Sequence, residues 1–223
     1  MTVIVSKPAV NLREELASLR NQGGYQEQQF YFDSLVTNGT FDANITGWTN
    51  ASAGGASISW NASGYLQLNP VSPNRGDARA TIQTKVGVTY QLLATDEGSS
   101  VNWQVSLATF VGGNNILSGA ANTSDKSVLF VARSSTTHIT LTSGFSTGTS
   151  LIDNISVFET DGTDVVHRMP KGWVPKDVFE DGLLQREGSA NDYEVVYDGF
   201  DYHVKPTVAP SATTQTCVIG VRA

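Results

Sequence analysis

The stretch Val101-Asn102-Trp103-Gln104-Val105-Ser106-Leu107 alternates apolar and polar residues without a break. That period of two places successive side chains on opposite faces of a β-strand. Val101, Trp103, Val105 and Leu107 share one face and predict a core row. Trp103 therefore belongs inside, since a Trp buries about 150–250 Å². The same short alternation returns at Ile58-Ser59-Trp60, Tyr65-Leu66-Gln67-Leu68, Thr81-Ile82-Gln83-Thr84-Lys85-Val86, Tyr90-Gln91-Leu92-Leu93, Val128-Leu129-Phe130-Val131, His138-Ile139-Thr140-Leu141-Thr142 and Ile155-Ser156-Val157-Phe158. Gly, Asn and Ser punctuate these runs. Strands of this length and pitch predict a mostly β protein, built as an antiparallel β-sandwich or jelly roll.

Composition agrees. Only 16% of the 223 residues are charged, and Ser, Thr, Asn and 21 Gly fill the deficit, which excludes a long-helix protein. Lys plus Arg total 14 against 21 for Asp plus Glu, a net charge of −7 with no basic run, so a nucleic-acid partner is disfavoured. Cys217 is the only cysteine, too few for an intrachain disulfide or a multi-thiolate zinc site. No window approaches the roughly 18 apolar residues of a membrane span, and the first residues show no secretory signal. The chain is expected to be made and kept in a cytoplasm unless a larger assembly carries it out, with no membrane insertion.

Three segments follow from these patterns. Residues 1–33 form an N-terminal arm with the one helical signal, where Ala9, Leu12, Leu16 and Leu19 fall on one stripe behind an Asn11–Glu14 capping box, and Gly23-Gly24 is a stop. A helix of about ten residues is marginal in water and needs a surface to lie against. That surface is either its own domain or a larger particle, with Leu12, Leu16 and Leu19 as docking residues. Residues 34–160 form the sandwich. Residues 161–223 form a small C-terminal β module, opened by a Pro-rich stretch that suggests a stiff link and carrying hairpin signals at Asp181-Gly182 and Asp198-Gly199.

The middle segment opens with Val36-Thr37-Asn38-Gly39-Thr40-Phe41-Asp42 and Thr46-Gly47-Trp48, and closes with Ile152-Asp153-Asn154-Ile155-Ser156-Val157. This pairing resembles the carbohydrate-binding-module jelly rolls appended to bacterial glycoside hydrolases. The last segment, with Val178-Phe179-x-Asp181-Gly182-x-Leu184-Gln185, Asp192-Tyr193-x-Val195 and Ala209-Pro210, resembles the small β modules repeated in bacteriophage tail fibres. The opening Val5 to Leu16 is similar to the start of many phage structural proteins. Together these resemblances imply a virion accessory protein, a head decoration or a tail fibre or adaptor. Its partners would be other virion proteins and a host-surface glycan, and it would act as a homo-oligomer, with a trimer first among the options. A free carbohydrate-binding protein is the alternative.

No triad, metal-ligand or paired-carboxylate motif marks an enzyme. His138, His167 and His203 lie outside any such pattern, and His138 should face outward from its strand. The carboxylates sit mostly beside Gly, Ser or Asn, where turns use them. Asp153 is set apart, because the related jelly rolls often hold a structural calcium between their first and last strands, and Asp42 or carbonyls near Asn38 could complete an oxygen shell. An Asp153 that only bonds backbone amides is the other reading. For a sugar platform the best exposed aromatics are Tyr65, just after Gly64, and Trp60.

Overall fold

The computed structural model describes residues 27–161, 165–188, 190–197, 199, 201–210 and 214–222. Seventeen strands, β1 to β17 in chain order, and no helix occur among them. The docking residues Leu12, Leu16 and Leu19 lie outside the described residues.

Two five-stranded antiparallel sheets make the jelly roll. The front sheet runs β2 (Thr49–Asn50), β5 (Asp77–Gln83), β10 (Thr136–Ser143), β7 (Trp103–Ala108) and β8 (Leu117–Ser118). The back sheet runs β3 (Ser57–Asn61), β4 (Tyr65–Asn69), β11 (Ser150–Glu159), β6 (Thr89–Asp96) and β9 (Lys126–Val131). Alternation decides what lies between them. Trp103, Val105, Leu107, Ile139 and Leu141 point in from the front, and Leu66, Leu68, Leu92, Ile152 and Val157 from the back, all fully buried. Each such side chain contributes roughly 1.5–3 kcal/mol. Trp103 also donates its indole N–H to Asp96 Oδ2 at 2.6 Å, so its polar edge is satisfied inside.

The Asn38-Gly39-Thr40-Phe41 motif closes one end of this core. Asn38 sits at φ 52° and donates its side-chain amide to the carbonyls of Asn44 (2.9 Å) and Thr46 (3.0 Å), which ties the following loop into a knot. Phe41 then packs on Trp48 with centroids 5.7 Å apart. A register shift between Asp153 and Ser156, with Asn154 at φ 49°, frees the Ile155 N–H to donate to the Gly39 carbonyl at 2.9 Å. A Cβ on residue 39 would sit 1.9 Å from the Ile155 carbonyl oxygen, so only glycine allows the two segments to meet.

The small module has two further sheets. One runs β1 (Glu27–Phe32), β17 (Thr216–Arg222), β13 (Trp173–Glu180) and β14 (Leu183–Leu184); the other runs β12 (His167–Arg168), β16 (Tyr202–Pro206) and β15 (Tyr193–Tyr197). Met169, Val178, Tyr193, Val204 and Val218 form its core, with Phe30, Phe32 and Trp173 packed on it. Asp181 (φ 49°) and Gly182 (φ 79°) make the two-residue turn that joins β13 to β14, as Asp-Gly predicts. Pro170 and Pro175 do not form a free link: Pro175 stands within β13 opposite Gly220.

The position of β1 is the main departure from the linear reading. Residues 27–32, grouped by sequence with the arm, pair antiparallel with the last strand, Glu27 opposite Val221 and Phe32 opposite Thr216. The jelly roll is thus inserted between the first and second strands of the small module. Its incoming and outgoing segments run side by side, the Leu35 N–H donating to the Val157 carbonyl at 3.0 Å and the Val157 N–H to Ser34 Oγ at 3.1 Å.

Candidate functional site

The outward face of the front sheet is polar yet largely covered. Along β5 the outward residues are Asp77, Arg79 and Thr81; register places Thr142, Thr140 and His138 opposite them on β10, and Gln104, Ser106 and Ala108 beyond on β7. Thr140, Thr142 and Ser106 are buried although they face away from the core. The loop after β7 accounts for this. Asn115 receives the Thr109 N–H at 2.9 Å and returns its amide to Thr109 Oγ1 at 2.9 Å, and Arg133 donates to the Asn115 carbonyl at 3.1 Å. The loop so fixed carries Gly112 against the Arg79 guanidinium, where a Cβ would lie 2.9 Å from Nη2.

Between this loop and the segment around Thr49 and Asn50 lies a groove of about 530 Å³, lined by Thr37, Gly47, Arg79, Thr81, Val111 and His138 among others. Phe110 and Val111 stand exposed on the covering loop, and Phe145, half exposed, stands beside Arg75, whose guanidinium carbon lies 3.8 Å above its ring centre. From Asp77 to Thr81 the strip measures about 14 Å, four residues at roughly 3.4 Å each.

The polar atoms of this strip are not paired with one another. Asp77 Oδ1, Arg79 Nε and Thr140 Oγ1 are buried and make no hydrogen bond among the described residues, and Arg75 Nε is in the same position. Each buried polar atom left without a partner costs about 1–3 kcal/mol, more for a charged group. These atoms are closed off from solvent, so a ligand in the groove would meet instead the side chains that line it, Arg79, Thr81 and His138 among them. Only the Thr81–His138 pair is closed, Oγ1 to Nδ1 at 2.9 Å.

The residues read from sequence lie elsewhere. Trp60 and Tyr65 do not form one platform: Trp60 pairs with Leu66 on the inward parity of the back sheet, Tyr65 with Asn61 on the outward parity. Trp60 remains 40% exposed, but its indole N–H is committed to the Phe41 carbonyl at 2.6 Å. Asp42 Oδ2 accepts from Thr40 Oγ1 at 2.7 Å. Asp153 Oδ1 is buried without a partner, and its carboxyl is pushed up to about 6 by burial, with Glu97 and Asp42 adding repulsion. No three His, Cys, Asp or Glu converge as a metal site among the described residues. Nor, among those residues, is any helix long and apolar enough to cross a membrane.

No protein family matches the sequence, and no curated protein does. Among solved structures, the chain is similar to the enzymatically active domain of tailspike protein 4 of bacteriophage CBA120, at 15% identity and TM-score 0.44 over 57% of this chain and 21% of that one. It is also similar to a family 16 carbohydrate-binding module, at 19% identity and TM-score 0.43 over 56% of this chain and 99% of that one. A third is the module TmCBM61, determined with β-1,4-galactotriose, at 12% identity and TM-score 0.40 over 57% of this chain and 99% of that one. The chain thus spans about a fifth of the tailspike domain and nearly the whole of the two modules.

Proposed function

We propose that the protein is a non-enzymatic, polysaccharide-binding component of a phage virion, and that the front-sheet groove is its binding surface. The observation that carries the saccharide reading is the groove of about 530 Å³ lined by the polar side chains of Thr37, Thr49, Asn50, Arg79, Thr81 and His138. A polyhydroxylated chain offers donors and acceptors to these side chains. The virion reading rests on the sequence resemblance of residues 1–33 and 161–223, and gives the Leu12, Leu16 and Leu19 stripe the role of docking on a capsid or tail. A homo-oligomer, a trimer first, would present several grooves to one host surface and multiply a weak single-site affinity.

Calcium belongs to the same proposal. Asp153, whose Oδ1 is buried without a partner, would be one hard oxygen donor, with Asp42 or carbonyls near Asn38 completing the shell. A cation there would offset the burial penalty that raises the Asp153 carboxyl.

The test has two parts. Purified host capsule or lipopolysaccharide is run against the full chain and against Thr81→Val, with reducing-end release followed in parallel. Retention of the full chain, its loss in the variant and no release of reducing ends support the reading; release of reducing ends overturns the non-enzymatic part. Mass spectrometry of purified particles decides the rest, since absence from the particle favours a free carbohydrate-binding protein. That second reading is favoured by the groove lying wholly within residues 34–160.

A further inference from the structure

We infer that the groove selects an acidic polysaccharide, taking a carboxylate of the chain on Arg79; this rests on reading the groove as a saccharide site. The argument is one of charge. Several other cations among the described residues pair with carboxylates: Glu159 pairs with Arg168 at 2.8 Å and Lys85 at 3.7 Å, Asp161 with Lys205 at 3.3 Å, and Asp192 with Arg186 at 3.5 Å, while Arg75 is covered by the Phe145 ring. Even the buried Lys126 is capped, donating to the Ser124 carbonyl at 2.7 Å and lying over the Trp103 ring.

Arg79 has neither kind of partner. No carboxylate lies within ion-pair reach of it among the described residues, its Nε is buried and unbonded, and the fixed loop holds Gly112 against its fork. A guanidinium kept in place with its donors open is suited to a planar carboxylate, which it binds bidentately. The neighbours set the register. Asp77, on the same face, repels a carboxylate at its own position, so the acidic group is directed to Arg79, with Thr81 and His138 beside it in the groove. The lining of the groove carries no Phe, Tyr or Trp ring on which a neutral sugar would stack. The exposed aromatics Phe110 and Phe145 are not part of that lining, and Phe145 is already covered by Arg75. The net charge of −7 disfavours polyanions in general, so any acidic chain that binds is held by local cations.

The experiment uses affinity electrophoresis of the full chain through gels containing polygalacturonate, alginate or hyaluronan, and through fully methyl-esterified polygalacturonate, which keeps the backbone and removes the charge. Retention on at least one acidic polymer is expected, at least ten-fold weaker on the ester and falling as salt is raised. Arg79→Gln should lose at least ten-fold in affinity while melting like the parent, and Arg79→Lys should recover only part. Equal retention on the ester, or an unchanged Arg79→Gln, overturns the acidic selection. If the ester is retained and Thr81→Val abolishes that retention, the groove stands and only its charge preference fails. No retention on any of these polymers, nor on host polysaccharide, overturns both.

Discussion

Replacing Gly39 with alanine tests the contact that joins the two ends of the jelly roll. The added Cβ would lie 1.9 Å from the Ile155 carbonyl oxygen, which belongs to backbone and cannot swing aside. Ordinary contact requires more than 3 Å, so the loop and β11 must part by over an ångström. Parting breaks the 2.9 Å bond from the Ile155 N–H to the Gly39 carbonyl, worth about 1 kcal/mol or more when buried. It also loosens Phe41, Trp48 and Ile155, an overpacking cost of about 1–3 kcal/mol. The sum is about 2–4 kcal/mol, or at roughly 2–4 °C per kcal/mol a fall in Tm of about 10 °C. Differential scanning calorimetry of G39A measures it. Gly87→Ala is the control, because φ there is 83° with open space around the Cβ, so it carries backbone strain alone, about 1 kcal/mol. If G39A melts within about 2 °C of the parent, or falls no further than G87A, the contact does not hold the motif together.

Thr140→Val should leave stability unchanged or raise it by up to about 1 kcal/mol, because it removes a buried hydroxyl without a partner; a clear loss of stability in urea denaturation would show that the hydroxyl is internally bonded. His167 is buried against Phe32, and burial lowers its imidazole to about 4 from 6.5, so the folded protein resists a proton that the unfolded chain accepts. The stability held by the neutral ring is complete above pH 6.5 and is lost as pH falls toward 4, a total of about 3 kcal/mol. The loss of stability between pH 6.5 and pH 4 should be smaller by about this amount in His167→Phe, and an identical loss would refute it. Asp153 acts in the opposite sense over the overlapping range from about 6 down to 3.8, its raised carboxyl gaining stability as pH falls. Millimolar calcium should therefore raise Tm more at pH 8 than at pH 5, and Asp153→Asn should remove the effect; no calcium shift at either pH would dismiss the ion.

Much of this architecture is legible in the sequence, for a physical reason. Period-two alternation reports one-sided burial directly, so the row Trp103, Val105 and Leu107 and the outward position of His138 can be read without coordinates. Asp181-Gly182 announces its turn because the backbone there demands positive φ. Pairing between distant strands leaves no such trace. Nothing local in Glu27–Phe32 says that it joins Thr216–Arg222, and nothing in β5 says that Arg79 stands beside Thr140. The groove was hidden for the same reason: its residues are ordinary outward polar positions until register and the covering loop bring them together. Trp60 is exposed as the sequence suggests, and only the structure shows that its N–H is spent on a loop carbonyl.

The insertion of the jelly roll between β1 and the rest of the small module makes the sandwich an exchangeable cassette. Its two ends leave side by side, so a cut near residues 34 and 160 closed by a short turn would leave β1 still zipped to β17. A different sandwich, with a different groove, could occupy the same slot. The sandwich can therefore be exchanged at one seam, while β1 and β17, which clasp it, remain as they are.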